Sequence, residues 1–303
     1  MSAADPSRPT PSVVVRAGSA TDVGRVREHN EDSVVVGARV FAVADGMGGH
    51  AAGEVASQLV AEALAGLEQR LPAGPEDVTE ALHEANRRVL QAQQGRPELR
   101  GMGTTATGLV VAGAPDEEGW VVFNVGDSRV YRVADAQIRQ VSRDHSEVRE
   151  LLEAGLLAPE DVATHPLRNV ITRSLGTDPA PDPDIWELPV TPGERFVVCS
   201  DGLSNELDDG QILELATEHP DPQRAAEELV DAAVRAGGGT TSPSSSSPWS
   251  TAPARPRAAR PENRRTPGRA QPAAVAASVT GTSTSANQGL VKVTELVPAG
   301  SGG

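Results

Sequence analysis

Valine-rich apolar runs of strand length recur along the first 240 residues: Val13–Arg16, Ser33–Val36, Val40–Ala44, Thr105–Val111, Trp120–Val125, Val130–Val133 and Arg195–Cys199. Most are bounded by Gly, Asp or Pro, the punctuation that predicts strands. Two longer segments carry a helical period instead. In Gly53–Leu71 the positions Val55, Leu59, Ala63, Leu67 and Leu71 form one stripe, and in Glu76–Gln93 the stripe is Val78, Leu82, Ala85 and Val89. Shorter helices are predicted at Ser146–Ala154, capped by Asp144 with Glu147 three residues later, at Gly210–Thr217, and at Pro222–Ala236, which Gly237–Gly239 stop. Strands grouped around two long consecutive helices predict an α+β fold of packed sheets flanked by helices, rather than a regular βαβ alternation.

Three segments follow from this pattern. Residues 1–11 are polar, Pro-rich and expected to lack structure, and residues 12–239 read as one folded domain. From Thr240 to Gly303 the chain turns to Ser, Pro, Ala, Arg and Gly with almost no period, the composition of a disordered tail. Aromatics make up 2% of the 303 residues, so the core must be built from Val, Leu, Ile and Ala. The net charge of −15 argues against a nucleic-acid binder, whose footprint is basic. The charge is uneven: residues 240–303 hold seven basic and two acidic residues, which leaves 20 basic and 40 acidic in residues 1–239. One cysteine, Cys199, excludes an intrachain disulfide and a cysteine-ligated zinc site. No stretch approaches the ~18 consecutive apolar residues of a membrane span, and the N-terminus lacks the apolar run of a signal peptide, so the expectation is a cytoplasmic protein.

Three apolar runs end in a Gly-flanked aspartate: Phe41–Ala44 before Asp45-Gly46, Val121–Val125 before Gly126-Asp127, and Phe196–Cys199 before Ser200-Asp201-Gly202. Each alone is also an ordinary turn signal. Together they offer carboxylates mounted on strand ends, the hard-oxygen set suited to Mg²⁺ or Mn²⁺. Glu31-Asp32 adds acidic groups just before another strand, and Arg27 offers a planar fork for a phosphate.

Taken in order, Thr21–Ser33, Ala44–Gly53, Gly103-Thr104-Thr105, Gly126-Asp127-Ser128-Arg129, Ser142–Ser146, Thr164–Arg173 and Ser200-Asp201-Gly202 resemble the motifs of the metal-dependent Ser/Thr protein phosphatases of type 2C, in their bacterial, kinase-opposing branch. The resemblance spans about Ser12 to Gly239. It implies an αββα sandwich of two antiparallel sheets with two divalent ions, Mn²⁺ or Mg²⁺, at one end, and a third, weaker ion. By motif, Asp45 would bridge the two ions, the Gly46 carbonyl would ligate one and Asp201 the other. Glu31 and Asp32 would stand in the inner or water-mediated shell, and Asp127 with Asp201 would hold the third ion. Arg27 would bind the phosphate, and His145 to about Leu175 would form a flap beside the site. The implied partners are phosphorylated proteins, including Ser/Thr kinases and their substrates. Met47 stands where eukaryotic members have a histidine, His50 follows two glycines, and His29 and His145 read as hydrogen-bonding or flap residues. Cys199, inside an apolar strand, reads as core.

The chain departs from the family after its last predicted helix. Family members continue with a glycine-rich turn and an Asp-Asn-(Ile/Val)-Thr strand whose aspartate is a metal ligand; this chain reads Gly237-Gly238-Gly239-Thr240-Thr241-Ser242-Pro243 and four serines. Thr is ACN, Pro is CCN and Ser can be TCN. Regrouped one base earlier, the codons from Thr240 to Ser247 can spell Asp-Asn-Ile-Thr-Val-Val-Val-Val, the missing motif. The reading is a shift of frame near Gly239 with an out-of-frame tail after it. The expectation is therefore a sheet lacking its last strands, a weakened metal site and a marginally folded chain, with a phosphatase-like regulatory binding role as the alternative to hydrolysis.

Overall fold

The computed structural model describes residues 13–22, 30–48, 51–71, 73–114, 117–237, 277–279 and 289–298. Its strands are β1 (Val13–Asp22), β2 (Asp32–Val36), β3 (Val40–Met47), β4 (Gly103–Thr104), β5 (Ala106–Ala112), β6 (Gly119–Val125), β7 (Arg129–Ala134), β8 (Gln137–Gln140), β9 (Asp184–Pro189), β10 (Arg195–Cys199), β11 (Ala277–Val279) and β12 (Gly289–Pro298). The helices are α1 (Ala51–Ala65), α2 (Pro75–Gln93), α3 (Glu147–Glu153), α4 (Asp201–Ser204), α5 (Asp209–Glu218) and α6 (Pro222–Ala236). One sheet runs β1-β12-β10-β7-β8, with β11 on β12; the other runs β2-β3-β5-β6-β9, with β4 on β3. Every pairing is antiparallel.

Period-2 alternation sorts the side chains of these strands between two destinations. On β3, Phe41 and Val43 face the opposite sheet, while Val40, Ala42 and Ala44 face the helical layer. On β6, Trp120 and Val122 point between the sheets and Val121, Phe123 and Val125 point to the helices. From the other sheet, Phe196 and Val198 of β10 meet them, and Val197 and Cys199 turn to the second helical layer. The ring of Trp120 meets the ring of Phe196 edge-on, with centroids 5.0 Å apart. Outside one sheet, α1 and α2 bury Val60, Leu64, Val78, Leu82, Ala85 and Val89; outside the other, α5 and α6 bury Ile212, Ala216, Leu229 and Ala233. The result is the helix–sheet–sheet–helix sandwich that the family resemblance implies, and it agrees with the packed sheets flanked by helices that the patterns predict.

At the end of β10 away from Asp201, Glu194 ties the two sheets. Its carboxylate is fully buried and accepts bonds from Trp120 Nε1 (2.8 Å), the Thr191 amide (2.7 Å) and Arg132 Nε (2.6 Å). A buried charge is tolerated when it is paired and hydrogen-bonded in this way.

Several expectations need correction. The first long helix stops at Ala65, and the short turn Gly66–Gln69 delivers Leu67 to the core. Asp144 does not cap α3: its carboxylate is taken by Arg129 (2.7 Å) and Gln140 (2.6 Å), and Ser146 occupies the cap position. β8, β9 and α4 were not predicted; β8 and β9 are edge strands with a wet face, which blunts the alternation. The expectation of a sheet without its last strands meets a strand in the interior place. Gly289–Pro298 lies between β1 and β10, with Val13 opposite Pro298 and Cys199 opposite Val291. This decapeptide is rich in β-branched residues (Val291, Val293, Thr294 and Val297), unlike the Ser/Pro/Arg-biased stretch before it.

Candidate metal centre

Asp32 and Asp45 stand directly opposite one another on the paired strands β2 and β3. Directly opposed residues put their Cβ atoms about 5 Å apart on one face. Strand parity aims that face between the sheets: Asp45 follows Phe41 and Val43, and Asp32 precedes Val34, all of which contribute to the inter-sheet core. Both aspartates and Glu31 are buried. Opposed like charges are destabilising unless something intervenes.

The facing sheet supplies the next group. Ser200 follows β10, is fully buried, and donates from Oγ to Asp32 Oδ2 across 3.2 Å. Asp201 comes next, at the first position of α4, with its Oδ2 accepting from Asn205 Nδ2 at 3.1 Å. Gly46 has no room for a side chain: a Cβ there would lie 2.2 Å from the Gly53 carbonyl oxygen and 2.5 Å from that of Glu31. The Gly46 amide donates to the Glu31 carbonyl at 3.1 Å, so the backbone beside Asp45 is packed directly against the Glu31-Asp32 strand entry.

Asp127 sits on the turn after β6. Gly126 takes φ +113, a conformation L side chains rarely adopt, and a Cβ there would lie 2.5 Å from Thr105 Cγ2. Burial, then Asp201, then Asp144 push the Asp127 carboxyl well above the usual carboxylate range. Its Oδ1 is buried and takes no hydrogen bond among the described residues. Such an atom fits a cation better than a proton at neutral pH, because a divalent ion neutralises both Asp127 and the neighbouring carboxylate.

Hydrogen bonds hold this turn from three sides. Asn124 Nδ2 donates to the carbonyls of Gly126 and Arg143, both at 2.9 Å. The Gly126 amide donates to His145 Nδ1 at 3.1 Å, and the His145 amide donates back to the Gly126 carbonyl at 2.8 Å. Because Nδ1 accepts, the ring hydrogen belongs on Nε2, which faces Asp184 Oδ2 at 3.3 Å. Arg129 grips Asp144 with Nε and Nη2, a bidentate pair just beyond Ser128. The segment expected to form a flap, His145 to Leu175, contains α3 and the turn Pro159–Thr164. It is pinned at its ends by bridges from Ser146 to Ile171 and from Thr104 to Leu175.

Of the expected site residues, Glu31, Asp32, Asp45, Gly46, Asp127 and Asp201 are therefore placed around the same end of the sandwich. Arg27, His29 and His50 lie outside the described residues. Cys199 is fully buried in the core, where burial pushes its thiol pKa up. Among the described residues no three His, Cys, Asp or Glu side chains close on a single point; the carboxylates form a facing set rather than a finished shell. Their oxygen chemistry, the orphaned Asp127 Oδ1 and the side-chain-free cradle at Gly46 fit hard divalent cations. In backbone register, Gly289 and Leu290 of β12 stand at this end, opposite Asp22 and Thr21, while the one acidic position of the strand, Glu295, is in register with Arg16 and Arg195 at the far end. Thr105, Ser128, Asn124 and Asp184 went unassigned in the sequence, since nothing in a Ser, Thr or Asn marks it as support for a ligand until its partner is known.

The profile of the family described as Protein phosphatase 2C matches residues 25–232. The serine/threonine protein phosphatase PstP of Mycobacterium tuberculosis is 41% identical over 229 residues, which cover 75% of this chain and 43% of that relative. This chain thus spans less than half of that relative's length. The serine/threonine phosphatase stp of Listeria monocytogenes is 34% identical over 206 residues, covering 64% of this chain and 80% of that relative. The crystal structure of the PstP catalytic domain in complex with two manganese ions is similar with a TM-score of 0.71 at 31% identity, covering 94% of this chain and 99% of that one.

Proposed function

This chain belongs to the protein phosphatase 2C family, and on that premise we propose that it hydrolyses phosphoserine and phosphothreonine in proteins with Mn²⁺ or Mg²⁺, opposing Ser/Thr kinases in the cytoplasm. The observation that carries the reading is the convergence of Asp32, Asp45 and Asp127 with the Ser200-Asp201 turn at one end of the sandwich. Among the described residues no helix is long and apolar enough to cross a membrane.

Asp45 and the Gly46 carbonyl would hold one pair of divalent ions together with Asp201, with Asp32 and Glu31 beside them and Asp127 with Asp201 holding a third. Bound there, such ions would supply Lewis-acid activation of water near neutral pH. The chain's own residues do the rest. Ser200 orients Asp32 through its hydroxyl, Asn205 orients Asp201, and the Asp45 backbone is fixed by Thr104 and Thr105. The Arg27 guanidinium is the group suited to grip the phosphate. Cys199 and Ser200, both fully buried, are unsuited to nucleophilic attack on a protein substrate, which supports water as the attacking group. A purely phosphoprotein-binding role is not favoured, because the relatives this chain resembles are serine/threonine phosphatases.

The test is phosphate release from a phosphothreonine peptide by the full chain. Turnover that requires Mn²⁺, is abolished by chelation, and falls at least 1,000-fold in Asp45→Ala supports the reading. Turnover unaffected by chelation or by Asp45→Ala overturns it.

A further inference from the structure

Thr104 and Thr105 hold the Asp45 backbone, and Thr105 in turn reaches Ser128, the residue after Asp127. The Asp45 amide donates to Thr105 Oγ1 at 2.9 Å. The Asp45 carbonyl accepts from the Thr105 amide and from Thr104 Oγ1, both at 2.9 Å. Thr105 Oγ1 also lies 2.8 Å from Ser128 Oγ. All three hydroxyl residues are fully buried. A buried hydroxyl without a partner is costly, so this pair has a strong preference for one arrangement.

We propose that Thr105 and Ser128 are positioning residues that lock the turn carrying Asp127 to the strand end carrying Asp45, setting the two carboxylates at a fixed spacing for cations. The proposal rests on the reading of Asp45 and Asp127 as ligands. Its geometric basis is that Thr105 uses both branches of its side chain. The hydroxyl joins the Asp45 amide to Ser128, and the methyl faces the Gly126 turn so closely that a Cβ at Gly126 would sit 2.5 Å from it. One side chain thereby touches both ligand-bearing segments, the end of β3 that carries Asp45 and the turn after β6 that carries Asp127. Small misplacements of supporting groups degrade metal and catalytic sites disproportionately, which is why a buried, fully bonded hydroxyl pair is suited to this position.

The two branches can be separated by substitution. Thr105→Val keeps the shape and the methyl but removes the hydroxyl; Thr105→Ser keeps the hydroxyl but removes the methyl. Mn²⁺ uptake by the full chain is measured by titration calorimetry, together with kcat and KM on a phosphothreonine peptide. The expected result is Mn²⁺ affinity at least tenfold weaker in Thr105→Val, with kcat reduced and KM little changed. Thr105→Ser should recover both. Ser128→Ala should weaken Mn²⁺ uptake in the same direction, and Thr105→Val with Ser128→Ala together should cost no more than Thr105→Val alone. Wild-type Mn²⁺ affinity in both Thr105→Val and Ser128→Ala overturns the proposal, as does equal impairment in Thr105→Val and Thr105→Ser. If Thr105→Val does not fold, Ser128→Ala decides the matter alone. If the unsubstituted chain takes up no Mn²⁺, the ligand reading itself falls and takes this proposal with it. Normal uptake by the unsubstituted chain and by the variants removes this proposal only.

Discussion

Gly126 and His145 hold each other twice: the Gly126 amide donates to the His145 ring at Nδ1, and the His145 amide donates to the Gly126 carbonyl. The His145 carbonyl then accepts from the Thr172 amide, so one residue joins the Asp127 turn to the returning arm of the flap. The ring bond requires a neutral imidazole, since a protonated ring has no acceptor at Nδ1.

That requirement fixes the sign of a pH dependence. Burial holds the His145 pKa below its usual value; Arg173 and Arg143 reinforce the shift, and Asp184 opposes it. As pH falls, the unfolded chain, with an ordinary imidazole near 6.5, takes up its proton first. The stabilisation is therefore fully present above about pH 6.5 and is lost as pH falls through the lowered folded-state value. Thermal melts in EDTA from pH 8 to pH 5 should show the wild type losing stability more steeply than His145→Asn, whose amide oxygen can still accept the Gly126 hydrogen bond but does not titrate. Parallel slopes would rule out this coupling.

Glu194 provides a contrast, because its role is structural. Removing it leaves Trp120 Nε1 without its partner in the core and Arg132 without its counter-charge. Glu194→Ala should destabilise the domain by about 3 kcal/mol, the lower end for breaking a buried pair, because Arg132 keeps partial access to water. Chemical denaturation gives the stability. Because Glu194 lies at the end of β10 away from Asp201, Mn²⁺ affinity below the unfolding transition should stay within twofold of wild type, and a larger change would contradict that separation.

The frame reading predicts a gain of function. Replacing Thr240–Ser247 by Asp-Asn-Ile-Thr-Val-Val-Val-Val restores a carboxylate directly after α6 and offers the sheet a strand that needs no long connection. Affinity for hard cations rises with the number of charged ligands. The restored chain should bind Mn²⁺ at least tenfold more tightly by calorimetry, and protease should then release the segment around β12, displaced from its place between β1 and β10. Unchanged Mn²⁺ affinity, or codons between Gly237 and Thr251 whose third bases cannot encode Asp-Asn, would count against the shift.

How much of this was legible beforehand follows from what each residue type advertises. Strands β3, β5, β6 and β10 are buried along most of their length, so their valine runs stand out, and the four-residue stripes of α1 and α2 are equally plain. β8 and β9 were missed because an edge strand shows polar residues on its wet face; β9 also follows Pro179, Pro181 and Pro183, which read as loop. The carboxylates were readable because Asp-Gly after an apolar run is conspicuous. The partners of their supports were not: His145 reads as a hydrogen-bonding or flap residue, but Thr105, Ser128 and His145 act through partners 19 to 60 residues away, a relation that no local pattern encodes. The segment Gly289–Pro298 was hidden by the composition of the fifty residues before it, although its own residues favour a strand.

The placement of β12 has a bearing on how the domain is made. β1 gains its neighbour only when residues near 298 reach those near 13, so one sheet cannot close until the chain has been made through β12. Pairings between such distant positions slow folding because the loop they enclose must be ordered first. The β2–β3 and β5–β6 hairpins, joined by pairings such as Val40 with Val110, need only the first part of the chain and can form ahead of it. During synthesis, the surface of β10 that awaits β12 stays uncovered, which makes this flank the point at which the nascent protein is most exposed to aggregation.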